Sequence, residues 1–512
     1  MPDPRQTIVR QRRAEKNPLK FNSDGKFQIS VFNDLHFGED EKKDNKTQKV
    51  MDTVLTSEDV QLVVLNGDLI SGEATHASNS STYIDRIVAP LVDHDLPWAS
   101  TYGNHDSEIN LNPEDMFHRE KNYTNSLTQR KVSGSPAGIT NYYLPILGHD
   151  ASDDSTPEFI LWFFDSQGGH YHAKKDENGT SVPRQDWVDD SVVRWFTKTS
   201  QNLLSTYGKS IPSLAFVHIP VYPMRAFQVT GVSPTSEPGI NNERVQQQGY
   251  ASESGYDAQD YPFIQALLNT TGLVATFSGH DHDNDWCFRW DSKLPGLNFT
   301  GNGVSMCYGR HTGYGGYGDW ARGGRQILLD QRSLESDMRS WVRMEDGSIS
   351  GNVHLNATYG QDKYHLVDRS VTSGQEGGAS QPFGIVFIAF DKTAPEVGLT
   401  TIFHGIGNLT LSFFKLSPLA SPINKLKLFL QGFRALKDMT IGSNRCVSGI
   451  TNKFRPWTLQ NELEAENPLV EHEHSPLKIV EKEQKKSKCT LALPLLTSAA
   501  PGLGPLRSMD PL

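Results

Sequence analysis

The chain has 512 residues, with 49 Lys and Arg against 60 Asp and Glu, a formal net charge of −11 and a pI near 5.9. That balance excludes a general nucleic-acid binder. The longest apolar run, Phe383–Phe390, is far short of the ~18–20 residues of a membrane span. The length suits one large domain or two to three ordinary ones. Four cysteines make no disulfide framework. Cys287 and Cys307 either pair in an oxidising compartment or stay as buried thiols, and Cys446 and Cys489 look incidental.

Residues 1–20 read as a flexible, basic N-terminal arm without the apolar stretch of a secretory signal, which as written points to the cytoplasm. Eight Asn-x-Ser/Thr sequons, at Asn45, Asn79, Asn122, Asn178, Asn269, Asn298, Asn356 and Asn408, point instead to the secretory pathway if the true start lies elsewhere. Lys26–Phe32 alternates as a strand and ends at Asp34-Leu35-His36. A helix is expected over 47–55. Leu62–Leu65 is a buried strand ending at Gly67-Asp68. Residues 82–94 carry Ile84, Ile87, Val88, Leu91 and Val92 at helical spacing, with Pro90 as a candidate kink. Trp98–Tyr102 leads into Gly103-Asn104-His105-Asp106.

Residues 107–158 are polar and are expected to be a long surface insertion. Phe159–Phe164 is a strand, 187–204 a helix, and Ser213–Val217 a strand presenting His218. Residues 228–258 read as a mobile loop and 261–268 as a short helix. Leu273–Phe277 then opens into Ser278-Gly279-His280-Asp281-His282. Residues 301–325 are rich in glycine and imply close backbone approach near a site or a packed corner. A linker is expected at 371–384, after a catalytic domain at 21–370, and 385–512 reads as a low-order C-terminal extension. Alternating strands, ligand loops and helices predict an α/β core with functional groups gathered at strand ends.

Those ends supply Asp34, His36, Asp68, Asn104, His218, His280 and His282, with His105 to spare. Carboxylate, amide oxygen and imidazole suit Mn, Fe or Zn. A cysteine-free set excludes a structural zinc finger. Asp68 lies between the two ligand groups and has two oxygens, so it is the natural bridge between ions about 3.5–4 Å apart. Such a pair activates water as hydroxide and clamps the oxygens of a displacement at phosphorus. Taken singly, each residue is more simply a cap, a turn or a core polar group. Their joint occurrence, in order, favours the metal site.

The order D-x-H, GD, GNHD, V-H and GHDH resembles the calcineurin-like metallophosphoesterase superfamily over about residues 22–366. The stretches at 20–22, 34–39 and 308–325 are similar to fungal phosphatases related to the yeast dosage-dependent cell-cycle regulator phosphatase, and to plant proteins named after purple acid phosphatases. The resemblance implies a sandwich of two mixed β-sheets flanked by helices. It implies that Asp34, His36, Asp68 and His282 hold one metal ion, and Asp68, Asn104, His218 and His280 a second. His105 would bind phosphate and protonate the leaving oxygen, with Asp106 orienting it. The implied activity is hydrolysis of phosphomonoesters, on small molecules or phosphoproteins, by metal-activated hydroxide. A phosphodiesterase acting on nucleotides or lipid head groups and a catalytically silent scaffold stay as alternatives. True purple acid phosphatases have Gly at the position of His36 and a Tyr ligand at that of Ser71, so a colourless enzyme is expected. Arg310 and His311 either contact a phosphate oxygen or fill a packed corner. His170 and His172 read as substrate-side or loop residues, and His472 and His474 as solvated.

Overall fold

The computed structural model describes residues 18–152, 155–251 and 255–367, and the backbone of three later strands. In chain order the first residues form β1 (Leu19–Lys20), β2 (Lys26–Phe32), α1 (Glu41–Ser57), β3 (Leu62–Asn66), α2 (Tyr83–Asp93), β4 (Trp98–Thr101) and α3 (Pro113–Glu120). Then come β5 (Tyr142–Leu147), β6 (Phe159–Phe164), the hairpin β7 (His170–Lys175) and β8 (Ser181–Pro183), α4 (Asp190–Tyr207), β9 (Ser213–Val217) and α5 (Tyr222–Thr230). A two-residue ribbon, β10 (Tyr250–Ala251) with β11 (Gly255–Tyr256), precedes α6 (Tyr261–Asn269) and β12 (Leu273–Ser278). The rest are β13 (Cys287–Trp290), β14 (Val304–Tyr308), β15 (Gly323–Asp330), β16 (Asp337–Met344) and β17 (Ile349–Asn356).

Two mixed sheets result. One runs β1-β5-β6-β9-β12-β14-β13, the other β17-β16-β15-β2-β3-β4. Strand alternation explains why they stack. On β6, Phe159, Leu161 and Phe163 join the cluster shared with Ile29, Val31, Leu62 and Val64 of the other sheet. Ile160, Trp162 and Phe164 pack outward with Val192 and Phe196 of α4 and Phe263 of α6. On the second sheet, Val63 and Leu65 face outward against Met51 and Val54 of α1 and Ile84, Ile87 and Val88 of α2. Each inner strand is buried on both faces, which is why β3 and β6 read as continuous apolar runs.

The strands β2, β3 and β4 run parallel, as do β6, β9 and β12. Their carboxyl ends therefore lie on one edge of each sheet, and five of them lead into the ligand loops. Pro90 sits inside α2 without ending it.

Several expectations are corrected. Residues 107–158 are not a surface insertion: α3 lies there, and β5 is an integral strand whose Tyr142 ring stacks on Phe163 at 4.5 Å. Its alternation is masked by Pro145. Lys20 belongs to β1, paired with Leu147, rather than to the arm. The remainder of that arm, residues 1–17, lies outside the described residues. Residues 236–249 are not a mobile loop. Val245 and Gln248 are buried, and Ile240, Asn242 and Gln246 donate backbone N–H groups to Asp285, Asp283 and Asp281 of the His280–His282 loop. The meander β15–β17 was not read from the sequence at all. Cys287 and Cys307, opposite each other on β13 and β14, form a disulfide.

The chain divides into two units, residues 1–374 and 375–512. In the second, β18 (Phe387–Phe390), β19 (Gly398–Gly405) and β20 (Asn408–Lys415) form an antiparallel meander. The expected linker at 371–384 lies outside the described residues, as do Cys446, Cys489, His472 and His474.

Candidate metal centre

The ligand loops are stitched together before any metal is considered. Asp34 N–H donates to Gly67 O (3.1 Å) and His36 N–H to Asp68 O (3.0 Å), which binds the loop after β2 to the loop after β3. Asp34 Oδ1 accepts from His280 N (2.9 Å) and Asp68 Oδ1 from His105 N (2.8 Å). Asn66, at the end of β3, ties three more strands. Its Nδ2 donates to Phe277 O, its Oδ1 accepts from Thr101 Oγ1, and its carbonyl lies 3.0 Å from His218 Nδ1. Asp34, His36, Asp68 and His280 all have positive φ, between 49° and 75°. Non-glycine residues held there cost about 1–3 kcal/mol each and cluster at functional sites.

Two groups of ligand atoms converge, Asp34–His36–His282 and Asp68–His218–His280, each within 4.8 Å. Histidine tautomers follow from their other nitrogens. His218 Nδ1 faces the Asn66 carbonyl and His282 Nδ1 the Tyr317 carbonyl (2.9 Å), so both Nδ1 atoms carry the proton. His36 Nδ1 lies 2.8 Å from Ser71 Oγ, whose own proton goes to Glu39 Oε1, so Nδ1 must donate there too. All three Nε2 lone pairs then point inward. His36 Nε2 sits 3.1 Å from His282 Nε2, and His218 Nε2 3.0 Å from Asp68 Oδ2. Lone pairs that close repel unless a proton or a metal cation stands between them. His218 Nε2 and Asn104 Oδ1 are buried with no hydrogen-bond donor. The residues present fit a pair of metal ions.

Charge agrees. Burial, then His105, lowers His36 to about 4, and burial with His218 lowers His280 to about 3, which keeps them as neutral ligands. Burial and the neighbouring Asp68 raise Asp34 to about 7. Burial opposes His218, yet Asp68 lifts it to about 9: the imidazole takes up a proton where a cation would serve.

His105 is placed as expected but held differently. Its Nδ1 lies 2.7 Å from Glu73 Oε1, an ion pair at the rim with both side chains partly exposed. Asp106 does not orient it. That carboxylate is buried and accepts from the backbone N–H groups of Leu69, Ile70 and Gly103, bracing the loops after β3 and β4. Glu73 stands in a polar stretch five residues beyond Asp68, where only an acidic side chain near a ligand loop could have drawn attention. Arg310 is corrected as well. It is buried, pairing with Asp285 at 2.7 Å and donating to Ala321 O, so the packed-corner reading holds and no phosphate reaches it. His311 is buried too. Its Nδ1 meets Arg322, and its ring packs 3.9 Å from that of His282. His170 holds Glu108 (2.8 Å), while His172 is exposed on its hairpin.

The glycine-rich stretch closes over the first ligand group. Tyr317 stacks on His282 (4.0 Å, 9°) and gives its hydroxyl proton to Glu243 Oε2 (2.9 Å). Gly316 N–H donates to Glu39 Oε1. Gly316 has φ +66°, and a Cβ there would collide with His282 and press on His36. Glu243 was not singled out in the sequence, and Tyr317 stood there only as one aromatic residue of the glycine-rich stretch.

The model of the calcineurin-like phosphoesterase family matches residues 27–284, half of the chain. The chain belongs to that family. It is thus a metallophosphoesterase, a hydrolase, and its family implies a dinuclear site and phosphorylated substrates. It is 29% identical over 383 residues to an Arabidopsis thaliana protein named probable inactive purple acid phosphatase 14, covering 65% of this chain and 84% of the relative. It is 29% identical over 308 residues to phosphatase DCR2 of Saccharomyces cerevisiae, covering 57% of this chain and about half (49%) of the yeast protein. Among solved structures, a dimetal phosphatase from Danio rerio aligns with a TM-score of 0.38 at 13% identity, over 64% of this chain and 98% of that one. Among the described residues no helix is long and apolar enough to cross a membrane.

Proposed function

We propose that this metallophosphoesterase hydrolyses phosphomonoesters at a dinuclear centre, with Asp34, His36, Asp68 and His282 holding one ion and Asp68, Asn104, His218 and His280 the other. The observation that carries this is the set of inward Nε2 lone pairs facing one another and Asp68 at 3.0–3.1 Å. Mn or Fe, with Zn as a further option, suits the oxygen and imidazole donors. Once bound, the ions supply Lewis-acid charge to the phosphoryl oxygens and activate water.

The chain's own residues do the rest. Water adds to phosphorus, the ester P–O bond breaks, and the leaving oxygen takes a proton from His105 Nε2. Glu73, on Nδ1, fixes the ring so that Nε2 is the atom offered to substrate. Ser71 supports His36 where a tyrosinate ligand would give colour, which favours a colourless enzyme. His105 and Glu73 are partly exposed at the rim, which suits a phosphate carried on a protein as well as a small ester.

The test compares p-nitrophenyl phosphate with bis(p-nitrophenyl) phosphate on metal-loaded enzyme. A kcat/KM at least tenfold higher on the monoester is expected. Preference for the diester would make it a phosphodiesterase. No turnover of either by a fully loaded enzyme would support the silent scaffold, a meaning carried by the name of the Arabidopsis relative.

A further inference from the structure

Seven of the eight sequon asparagines have described side chains, and six of them, Asn45, Asn79, Asn122, Asn178, Asn269 and Asn298, are exposed. Only five of the fourteen other described asparagines are exposed. Asparagine's usual place at a surface therefore does not account for the sequon set. The amide nitrogen is the atom a glycan would occupy. None of the six Nδ2 atoms donates a hydrogen bond within the described residues. Asn45 and Asn79 use only Oδ1, as acceptors from Arg86 and from His76 N–H. Asn356 differs: it is half-buried, and its Nδ2 donates to Asp337 Oδ1.

The six positions are spread over separate elements: α1, the loop before α2, the turn after α3, the tip of the β7–β8 hairpin, the end of α6 and the loop between β13 and β14. Five of them lie off the loops that carry the candidate ligands, and Asn79 stands eleven residues beyond Asp68, in the segment between β3 and α2.

A second, independent observation comes from the interior. Cys287 and Cys307 are buried and joined as a disulfide in the cluster between the sheets. Structural disulfides persist in oxidising compartments, the same compartments in which Asn-x-Ser/Thr is glycosylated.

We infer that this domain is N-glycosylated at Asn45, Asn79, Asn122, Asn178, Asn269 and Asn298 and matures in the oxidising secretory pathway. The full chain, purified from its own cells, is deglycosylated enzymatically in ¹⁸O water and mapped by mass spectrometry, with free thiols alkylated beforehand. The expected result is Asn-to-Asp conversion with ¹⁸O at most of the six positions, and a Cys287–Cys307 linked peptide that no alkylating agent reaches. Asn45→Gln and Asn178→Gln should each remove one glycan's mass with turnover unchanged. Unconverted asparagines at all six would overturn the inference, whether or not the disulfide is found. Alkylated Cys287 and Cys307 would remove its compartment half.

Discussion

At the residue scale, the role proposed for the rim pair Glu73–His105 separates proton delivery from metal binding. An acid matters most where the leaving group is poor. His105→Ala should lower kcat by about 10²–10⁴-fold on an alkyl phosphate and much less on p-nitrophenyl phosphate. Glu73→Gln should follow the same pattern at about a tenth to a hundredth of wild-type rate, as outer partners of site residues do. Metal content should be unchanged in both. In the metal-free site burial opposes it, but Asp68 and Glu73 lift His105 to about 10, and Glu73 is the one of the two carboxylates that a metal ion would leave to it. Removing the Glu73 charge should shift the alkaline limb of kcat to lower pH. Equal losses on both substrates, or loss of metal, would deny the pair this role.

Two elements show how local structure serves or strains the fold. The glycine at position 316 lets the Gly-Tyr loop lie against two imidazoles, so Gly316→Ala should weaken metal retention against a chelator at least tenfold while far-ultraviolet circular dichroism stays the same. Wild-type retention would remove the loop's bracing function. At the start of α6, Asp260 is buried beneath Tyr222 and Tyr256, and burial raises it from 3.8 to about 7 despite the Tyr256 hydroxyl and the Tyr222 N–H. A carboxyl raised in the folded state contributes stability that is present below about pH 4 and lost as pH rises through about 7. The melting temperature of Asp260→Asn relative to wild type should therefore improve from pH 4.5 to pH 8. A constant difference across that range would contradict the shift. Elements of this kind were unevenly legible. The strands before each ligand were plain because burial on both faces makes them continuous apolar runs. β5 was hidden by Pro145 and its polar flanks. The meander β15–β17 was missed because Arg325 and Gln326 of β15 and Ser340 of β16 stand at buried positions where apolar residues are expected. In the fold Arg325 and Gln326 are buried with hydrogen-bond partners, a pairing no local pattern reveals.

At the scale of the molecule, six of the seven expected ligands, spread from Asp34 to His282, converge in two groups because parallel strands of two stacked sheets end beside one another. The carboxylates and imidazoles that converge were legible because they recur after apolar runs. What holds them was not legible. Asn66, Glu39, Ser71, Glu243 and Tyr317 are ordinary polar residues until the loops close on one another, and Asp106, which the resemblance implied would orient His105, takes backbone N–H partners instead. The same closure puts Asp68 where the proposed shared ligand would stand, facing His218 at 3.0 Å and His36 at 3.8 Å. Metal content by elemental mass spectrometry, on wild type and Asp68→Ala purified side by side, tests the centre most directly. About two ions per chain in the wild type are predicted, with fewer than one in the variant and the fold retained. Wild-type protein that stays metal-free after loading with Mn or Fe, or a variant that keeps both ions, would contradict a centre bridged by Asp68.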